Sequence, residues 1–428
     1  MALKWISIFL IIGLIAGCGN QSVISNPKEV EKLHKNQKTS ITFWHTYNDK
    51  ETDLLEQNII PAFEKANPNI HVESINLASN SELKNILVAQ TSSKRGPDVA
   101  RLDVGLIAEF SNKELFEPLS ELPDFKSIRQ RFQPEAMETG YYKGDYYSIP
   151  LNLYTKAAIF NQELLKDAGY STPPSTMDDV LKIARKHNYT IGLGGLDTWD
   201  TIPYIESLGG VISDEKFSKT SGYLNSERTI QAVEQLKSLN KEHVINIPEY
   251  SDVNLDQIEN WDELMKGKML MVDEGPWFYY NLQSEEELNR ALKLTVPAPF
   301  PHNEGPANVI GGENLVMMKG TKHRLEAWTF LKWMTEKETQ LTMTKSGLIP
   351  TNKEAVDTFT SMQDSYHFPY SETADQAFSW PPVKNWSKIE EVYTYYLSEI
   401  FKGKLSVKEG LDRAAAEIDK LLADSDSR

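Results

Sequence analysis

Asp197-Thr198-Trp199-Asp200 and Glu274-Gly275-Pro276-Trp277 each set carboxylates within three residues of an indole. Carboxylates and amides bond hydroxyl groups, and aromatic rings cover apolar faces. The mixture therefore suits a ring-shaped, hydroxyl-rich ligand. Trp44 with His45, Arg101 with Asp103, Asn152 with Tyr154, and Gly312 with Glu313 (beside Gly311 and Asn314) offer more of the same chemistry, and Trp380-Pro381-Pro382 places another indole on a loop. A mostly preformed cleft with a few placed polar groups is the shape such residues would line. Each also has a packing alternative. Asp103 can cap a helix starting near Gly105, Trp44 can end a buried strand, and Trp199 can turn inward from a solvated loop. The glycines can serve the backbone alone while Glu313 caps a turn. Trp261 and Trp386 are set aside as core residues, the commoner fate of tryptophan.

The elements that would hold these residues are given by hydrophobic spacing. A β-type run at 41–44 leads through Asn48-Asp49 to a helix over 50–66, with Leu55, Ile59, Ala62, Phe63 and Ala66 on one face and Asn67-Pro68 as its stop. A strand at 70–75, a helix at 81–90 and a strand at 98–102 come next. Such alternation predicts an α/β fold with a mainly parallel sheet, whose ligands bind beyond the carboxyl ends of the strands. That rule singles out Trp44, His45 and Thr46 after the first strand and Asp103 after the third. An extended, proline-bearing stretch at 146–152 reads as a crossing between lobes, and a glycine-bearing passage at 309–312 resembles it. Helices fit 176–186, 226–240, 323–336, 389–401 and 406–422, with a glycine turn at 192–195. The apolar run at 269–272 leads into Glu274 and a helix with Pro276 near its start.

The chain has 428 residues, enough for two or three folding units. Its net charge of −16 argues against nucleic acid as a partner, since phosphate binding needs clustered Lys and Arg. There is no G-x-S-x-G elbow, H-E-x-x-H, P-loop or G-x-G-x-x-G, and the eight histidines are scattered. Asp252, Asn254, Asp256 and Glu263 fall at EF-hand-like positions, but Gln257 stands where the turn needs glycine. That segment reads as an exposed acidic loop before Trp261, and neither a metal nor a cofactor is expected.

Lys4, the apolar run from Trp5 to Ile15, and the small residues Ala16 and Gly17 have the outline of a signal peptide over 1–17. The run falls short of the ~20 apolar residues that span a membrane. Ile15-Ala16-Gly17-Cys18 resembles the bacterial lipobox, in which the cysteine is lipidated (palmitate among its acyl chains) and the chain is cut just before it. Cys18 is the only cysteine, so it leaves the folded body no disulfide or thiolate chemistry. The polar stretch that completes residues 18–40 reads as a tether.

The segments ITFWHTYNDKE, IIPAFEKANPNIHVE, GPDVARLDVGLIAEF, YYSIPLNLYTKAAIFNQELLKDAG, GPWFYY, GGENLVMMKGTKHRLEAWTFLKWM and GLIPTNKEA resemble, in order and spacing, the family 1 extracellular solute-binding proteins, which include the maltose-type sugar-binding proteins. The resemblance implies a two-lobed periplasmic-binding-protein-like fold with a hinge and an interlobe cleft. Lobe 1 would hold 41–151 plus 311–350, and lobe 2 would hold 152–310 plus 351–428. It further implies a monomeric, non-enzymatic lipoprotein on the outer face of a bacterial cell membrane. Such a protein captures a sugar and delivers it to ABC permease subunits, and through them to a separate ATPase. In such proteins a carboxylate at Asp103 takes sugar hydroxyls and an aromatic ring at Trp277 stacks on the sugar. Three alternatives share the sequence features: a lipid-anchored glycoside hydrolase using paired carboxylates, a peptide or polyamine receptor on the same scaffold, and an adhesin without a small ligand.

Overall fold

The computed structural model describes residues 38–77, 79–91, 96–247, 255–282, 284–303, 308–361, 369–370, 378–379 and 383–426. The signal peptide, Cys18, Trp380, Asp252 and Asn254 lie outside them. Among the described residues there are fourteen strands: β1 (Thr39–His45), β2 (Ile70–Asn76), β3 (Val99–Asp103), β4 (Tyr141–Tyr142), β5 (Asp145–Tyr146), β6 (Ser148–Thr155), β7 (Ala157–Asn161), β8 (Thr190–Gly192), β9 (Ile245–Asn246), β10 (Met269–Glu274), β11 (Thr295–Ala298), β12 (Val309–Met317), β13 (Ile349–Pro350) and β14 (Phe378–Ser379). One sheet runs β13-β6-β12-β3-β1-β2, with β14 also paired to β12, and a second runs β11-β7-β10-β8-β9.

Period-two alternation explains how the first sheet buries both faces. Ile41 and Phe43 of β1 join a core with Phe63, Phe330 and Leu331, while their neighbour Trp44 points into another with Leu83, Leu87 and Leu102. Leu315 and Val316 of β12 divide in the same way. In the second sheet Ala158 and Phe160 face a core completed by Ile389, Tyr393 and Leu397 of the helix Trp386–Phe401 and by Leu411, Ala414 and Ile418 of the helix Val407–Asp426. Ile159 of β7 faces the opposite side, with Leu264 and Phe278.

The first sheet is mixed rather than mainly parallel. β1 pairs in parallel with β2 and β3, but β12 is antiparallel to β3 and β6, and β13 is antiparallel to β6. The reason is the route of the chain. β12 is a nine-residue strand, not a short glycine passage, and it pairs with β6 from Val316↔Ser148 to Ile310↔Thr155. The chain leaves the first sheet at Thr155 and enters the second at Ala157. Strands that arrive by this route run against the crossover units beside them.

The helix predicted over 50–66 departs from its expected face. It opens at Asp49–Leu54 under a capping box in which Asn48 and Glu51 bond each other's backbone N–H. It then passes through a π-helical turn at Leu55–Ile59 before Ile60–Ala66. Pro61 lacks an N–H and its ring would press on the carbonyl four residues back, and the wide turn in front of it accommodates both. The inserted residue rotates the last two turns of the helix, so Ile60 and Phe63 are buried while Ala62 and Ala66 are exposed. The acidic segment before Trp261, expected as a loop, is helical from Leu255 onward, in a helix that runs to Met265, with Leu255, Ile258, Trp261 and Leu264 three residues apart along the sequence.

Candidate functional site

Tyr154, near the end of β6, is where the predicted residues converge. Its partner across the ladder is Gly311, and a Cβ there would overlap the Tyr154 ring, so glycine makes room for it. The phenol donates to Asp103 Oδ2 at 2.6 Å, and the ring meets Trp199 and Trp277 edge-on, with centroids 5.3 and 6.2 Å apart. Asp103 fulfils its reading as a cap, and its second oxygen bonds Tyr154. Its Oδ1 accepts from Gly105 N at 2.8 Å as the N-cap of the helix Val104–Asn112, while Oδ2 faces Tyr154. Burial raises its pKa against the opposing Tyr154 bond.

Trp199 and Trp277 are delivered by turns that come after strands of the second sheet. Asp197, after β8, caps the helix Thr198–Ser207 by accepting from Asp200 N at 2.8 Å. Burial, followed by the neighbouring Asp200 carboxylate, pushes Asp197 up to about 7. After β10, Glu274 Oε2 accepts from Trp277 Nε1 at 2.6 Å and from Gly275 N at 3.1 Å, which fixes the indole. Burial lifts Glu274 to about 8 despite Lys156. Both indoles remain half-buried.

Lys156, between β6 and β7, holds the two sheets' contributions together. It is 1% exposed, lies 2.7 Å from Asp273 Oδ2 and 3.2 Å from Asp200 Oδ1, and sits 5.2 Å from the Trp199 ring centroid. Burial would lower its pKa, but Asp273 and Asp200 more than offset this, so the amine stays protonated. Sequence reasoning missed Lys156 and Asp273, although one lysine in an otherwise uncharged run from Leu151 to Phe160 was a usable signal. It also missed Glu390, on the helix Trp386–Phe401. Glu390 Oε1 accepts from Thr198 Oγ1 at 3.1 Å, and burial, followed by the charge of Asp103, pushes it up to about 8. Nothing local distinguished Glu390 from the other glutamates of its helix.

Arg101, Asn152 and Glu313 form a buried network behind this group. Arg101 pairs with Glu313 Oε1 at 2.8 Å, Asn152 Nδ2 donates to Oε2 at 2.5 Å, and the guanidinium lies 4.2 Å from the Tyr47 ring centroid. Burial raises Glu313 to about 7 although Arg101 opposes it. Gly312 serves close backbone approach, since a Cβ would lie 2.6 Å from Asn152 O. Trp44 and His45 are not brought to the aromatic group. Trp44 is 7% exposed within the core. His45 is fully buried, bonds Ser74 Oγ at 2.8 Å and packs against Tyr47; burial, with the charge of Arg101, lowers it to about 3, so the ring is neutral.

Two α/β sheets joined by antiparallel strands, with aromatic rings and carboxylates from both meeting at the join, define the two-lobed binding-protein class. The GacH receptor of Streptomyces glaucescens, solved unliganded and with acarbose, shares this fold with a TM-score of 0.78 at 25% identity, over 90% of this chain and 98% of that one. The Thermus thermophilus maltotriose-binding protein, bound with maltotriose, matches with a TM-score of 0.72 at 20% identity, over 89% and 99% of the two chains. Residues 58–369 match the model of the bacterial extracellular solute-binding proteins, and the chain belongs to that family. A maltotriose-binding protein of Pyrococcus abyssi is 23% identical over 351 residues, covering 80% of this chain and 73% of its own length.

Proposed function

We propose that this protein captures a saccharide at the Tyr154 group and delivers it to the permease of an ABC importer, anchored to the outer face of the membrane by lipid on Cys18. The observation that carries the reading is the pair of half-buried indoles, Trp199 and Trp277, set around Tyr154 and ringed by carboxylates. Indole faces cover apolar sugar faces and carboxylates take hydroxyl protons. Relatives named for maltotriose and a structural neighbour solved with acarbose support an α-linked oligosaccharide. Asp103, Asn152, Tyr154, Asp197, Trp199, Asp200, Glu274, Trp277 and Glu313 line or support the site in this reading, with Arg101 and Gly312 behind it.

The lobes are divided by the crossings at Lys156, between β11 and β12, and after Pro350. Rotation about them closes the cleft on the ligand, and the permease recognises the closed form. Contacts that link the halves beyond the strands include the bond from Ser387 Oγ to Glu109 Oε2 at 2.8 Å, the packing of Gly105 on Trp386, and the approach of Gly347 to Tyr280, where a Cβ would be 2.7 Å from the ring. The test is a thermal-shift screen against oligosaccharides and peptides with product analysis. A ligand at 100 times its Kd stabilises by about 2.7 kcal/mol, and recovery of the ligand intact is expected. Hydrolysed ligand would make the protein an enzyme instead. Absence of compaction in small-angle scattering at saturation would rule out closure.

A further inference from the structure

The hydrogen bonding of the site is one-sided. Three of its donors are committed internally: the Tyr154 hydroxyl to Asp103, the Trp277 indole N–H to Glu274, and the Thr198 hydroxyl to Glu390. Its cations are committed too, Arg101 to Glu313 and Lys156 to Asp200 and Asp273. Among the described residues no ion pair reaches Asp103, Asp197, Glu274 or Glu390. Once ionised, each carboxylate offers about four lone-pair positions, so in that form acceptors remain in surplus where donors do not. Glu274 is only 3% exposed, and both of its bonds go to Oε2. Arg101 and Lys156 reach these carboxyls only at longer range; the Trp277 ring stands beside them, indole faces attract cations, and the Trp199 ring already carries Lys156 at 5.2 Å.

Resting on the reading of this site as a sugar cleft, we infer that its ligand is a saccharide carrying a protonated amine, with the ammonium seated among Asp103, Asp197 and Glu390 and the sugar faces on Trp199 and Trp277. Three physical consequences separate this ligand from a neutral sugar. An ammonium supplies three donors and the missing charge together. A hydroxyl supplies one donor and leaves the buried carboxylates uncompensated or protonated. An anionic sugar adds acceptors and like charge, so it is excluded. Asp197 and Glu390, held up to about 7 and about 8, bind part of a proton each in the empty site at neutral pH. An ammonium between them favours their ionised forms, so its binding releases protons.

The test titrates the full chain in mild detergent, by calorimetry at about pH 6.5, where a sugar amine is charged even though its neighbouring oxygens hold it roughly two units below the lysine value of ~10. The probes are maltotriose, its monoamino derivatives substituted at the 2- or 6-position of each ring, and its 6-carboxylate. Phosphate and ACES buffers, which differ in ionisation enthalpy and carry no primary amine, report the protons exchanged. At least one amine should bind on the order of tenfold tighter than maltotriose, with net proton release, and the carboxylate should bind more weakly. Glu390→Gln should weaken that amine by about tenfold and more than it weakens maltotriose. Maltotriose binding as tightly as every amine would overturn the inference and leave the sugar cleft standing. No binding by any probe would instead remove the sugar reading on which it rests.

Discussion

Replacing Lys156 by Met removes the cation between Asp200 and Asp273 while keeping a chain of similar length. The lysine and Asp273 side chains are 1% and 2% exposed, and that of Asp200 is 7% exposed, so water cannot take the lysine's place. Breaking a buried pair of this kind costs about 3–5 kcal/mol, because the partners keep their desolvation penalty. Burial already raises Asp273, and losing Lys156 raises it further. A carboxyl whose folded pKa exceeds its unfolded value of ~3.9 is at its most stabilising below that value, and the contribution is lost as pH rises through the folded pKa. The deficit of K156M relative to the parent should therefore be smaller near pH 4, towards which the raised Asp273 takes up its proton, and reach the full figure by pH 8. Urea unfolding followed by tryptophan fluorescence at both pH values measures it. Asp273→Asn in the K156M background should restore part of the loss at pH 8. A deficit that does not change with pH, or stays below about 1 kcal/mol throughout, refutes the assignment of Lys156 as the charge-compensating centre.

Four further outcomes are expected. Gly311→Ala puts a methyl into the Tyr154 ring; overpacking of this sort costs about 1–3 kcal/mol of stability, and ligand affinity should fall with it because Tyr154 must move, as thermal melting and calorimetry will show. Phe63→Ala, at a site with no exposure and edge-on contacts to Phe330 and Trp333, should cost about 3–5 kcal/mol in urea unfolding and leave affinity unchanged. Trp277→Phe keeps a ring but frees Glu274 from the 2.6 Å indole bond, so affinity should fall less than in Trp277→Ala, with the Ala loss about 1–3 kcal/mol by titration. Asp197 and Glu274, raised to about 7 and about 8, should make the ligand-free protein melt at a lower temperature at pH 8.5 than at pH 6, since the contribution of a raised carboxyl is lost as pH climbs through its folded pKa.

Most elements of the fold were legible because their signals are local. Asn48 and Glu51 announce a helix start, Asn67-Pro68 announce a stop, and the spacing of Val407, Leu411, Ala414 and Ile418 gives the last helix its buried face. Sheet direction was not legible, since the pairing of β12 with β6 joins residues more than 150 positions apart and no local pattern records it. The misassigned face of the first helix has a different cause. A π turn adds one residue to the repeat, and a 3.6-residue template carried across Pro61 places Ala62 and Ala66 where Ile60 belongs.

The site divides along the same line. A carboxylate placed after a strand, with a tryptophan close by at Asp197 and Glu274 and with none at Asp103, is a local pattern, and it is what singled out Asp103, Asp197, Trp199, Glu274 and Trp277 as candidates. What those residues do depends on partners that spacing does not reveal. Asp103 reads as a cap from Gly105 alone, and it becomes a site residue only because β6 carries Tyr154 to its other oxygen. Trp44 has the same strand-end warrant, but its side chain takes the opposite face of the sheet from Phe43 and goes into a core. Glu390 has no warrant at all in its own helix, yet its raised pKa depends on Asp103, nearly 290 residues earlier in the chain. The composition proposed for this site rests on patterns at strand ends, whereas the balance of its charges is set by residues such as Lys156 and Glu390, which only the folded chain brings to it.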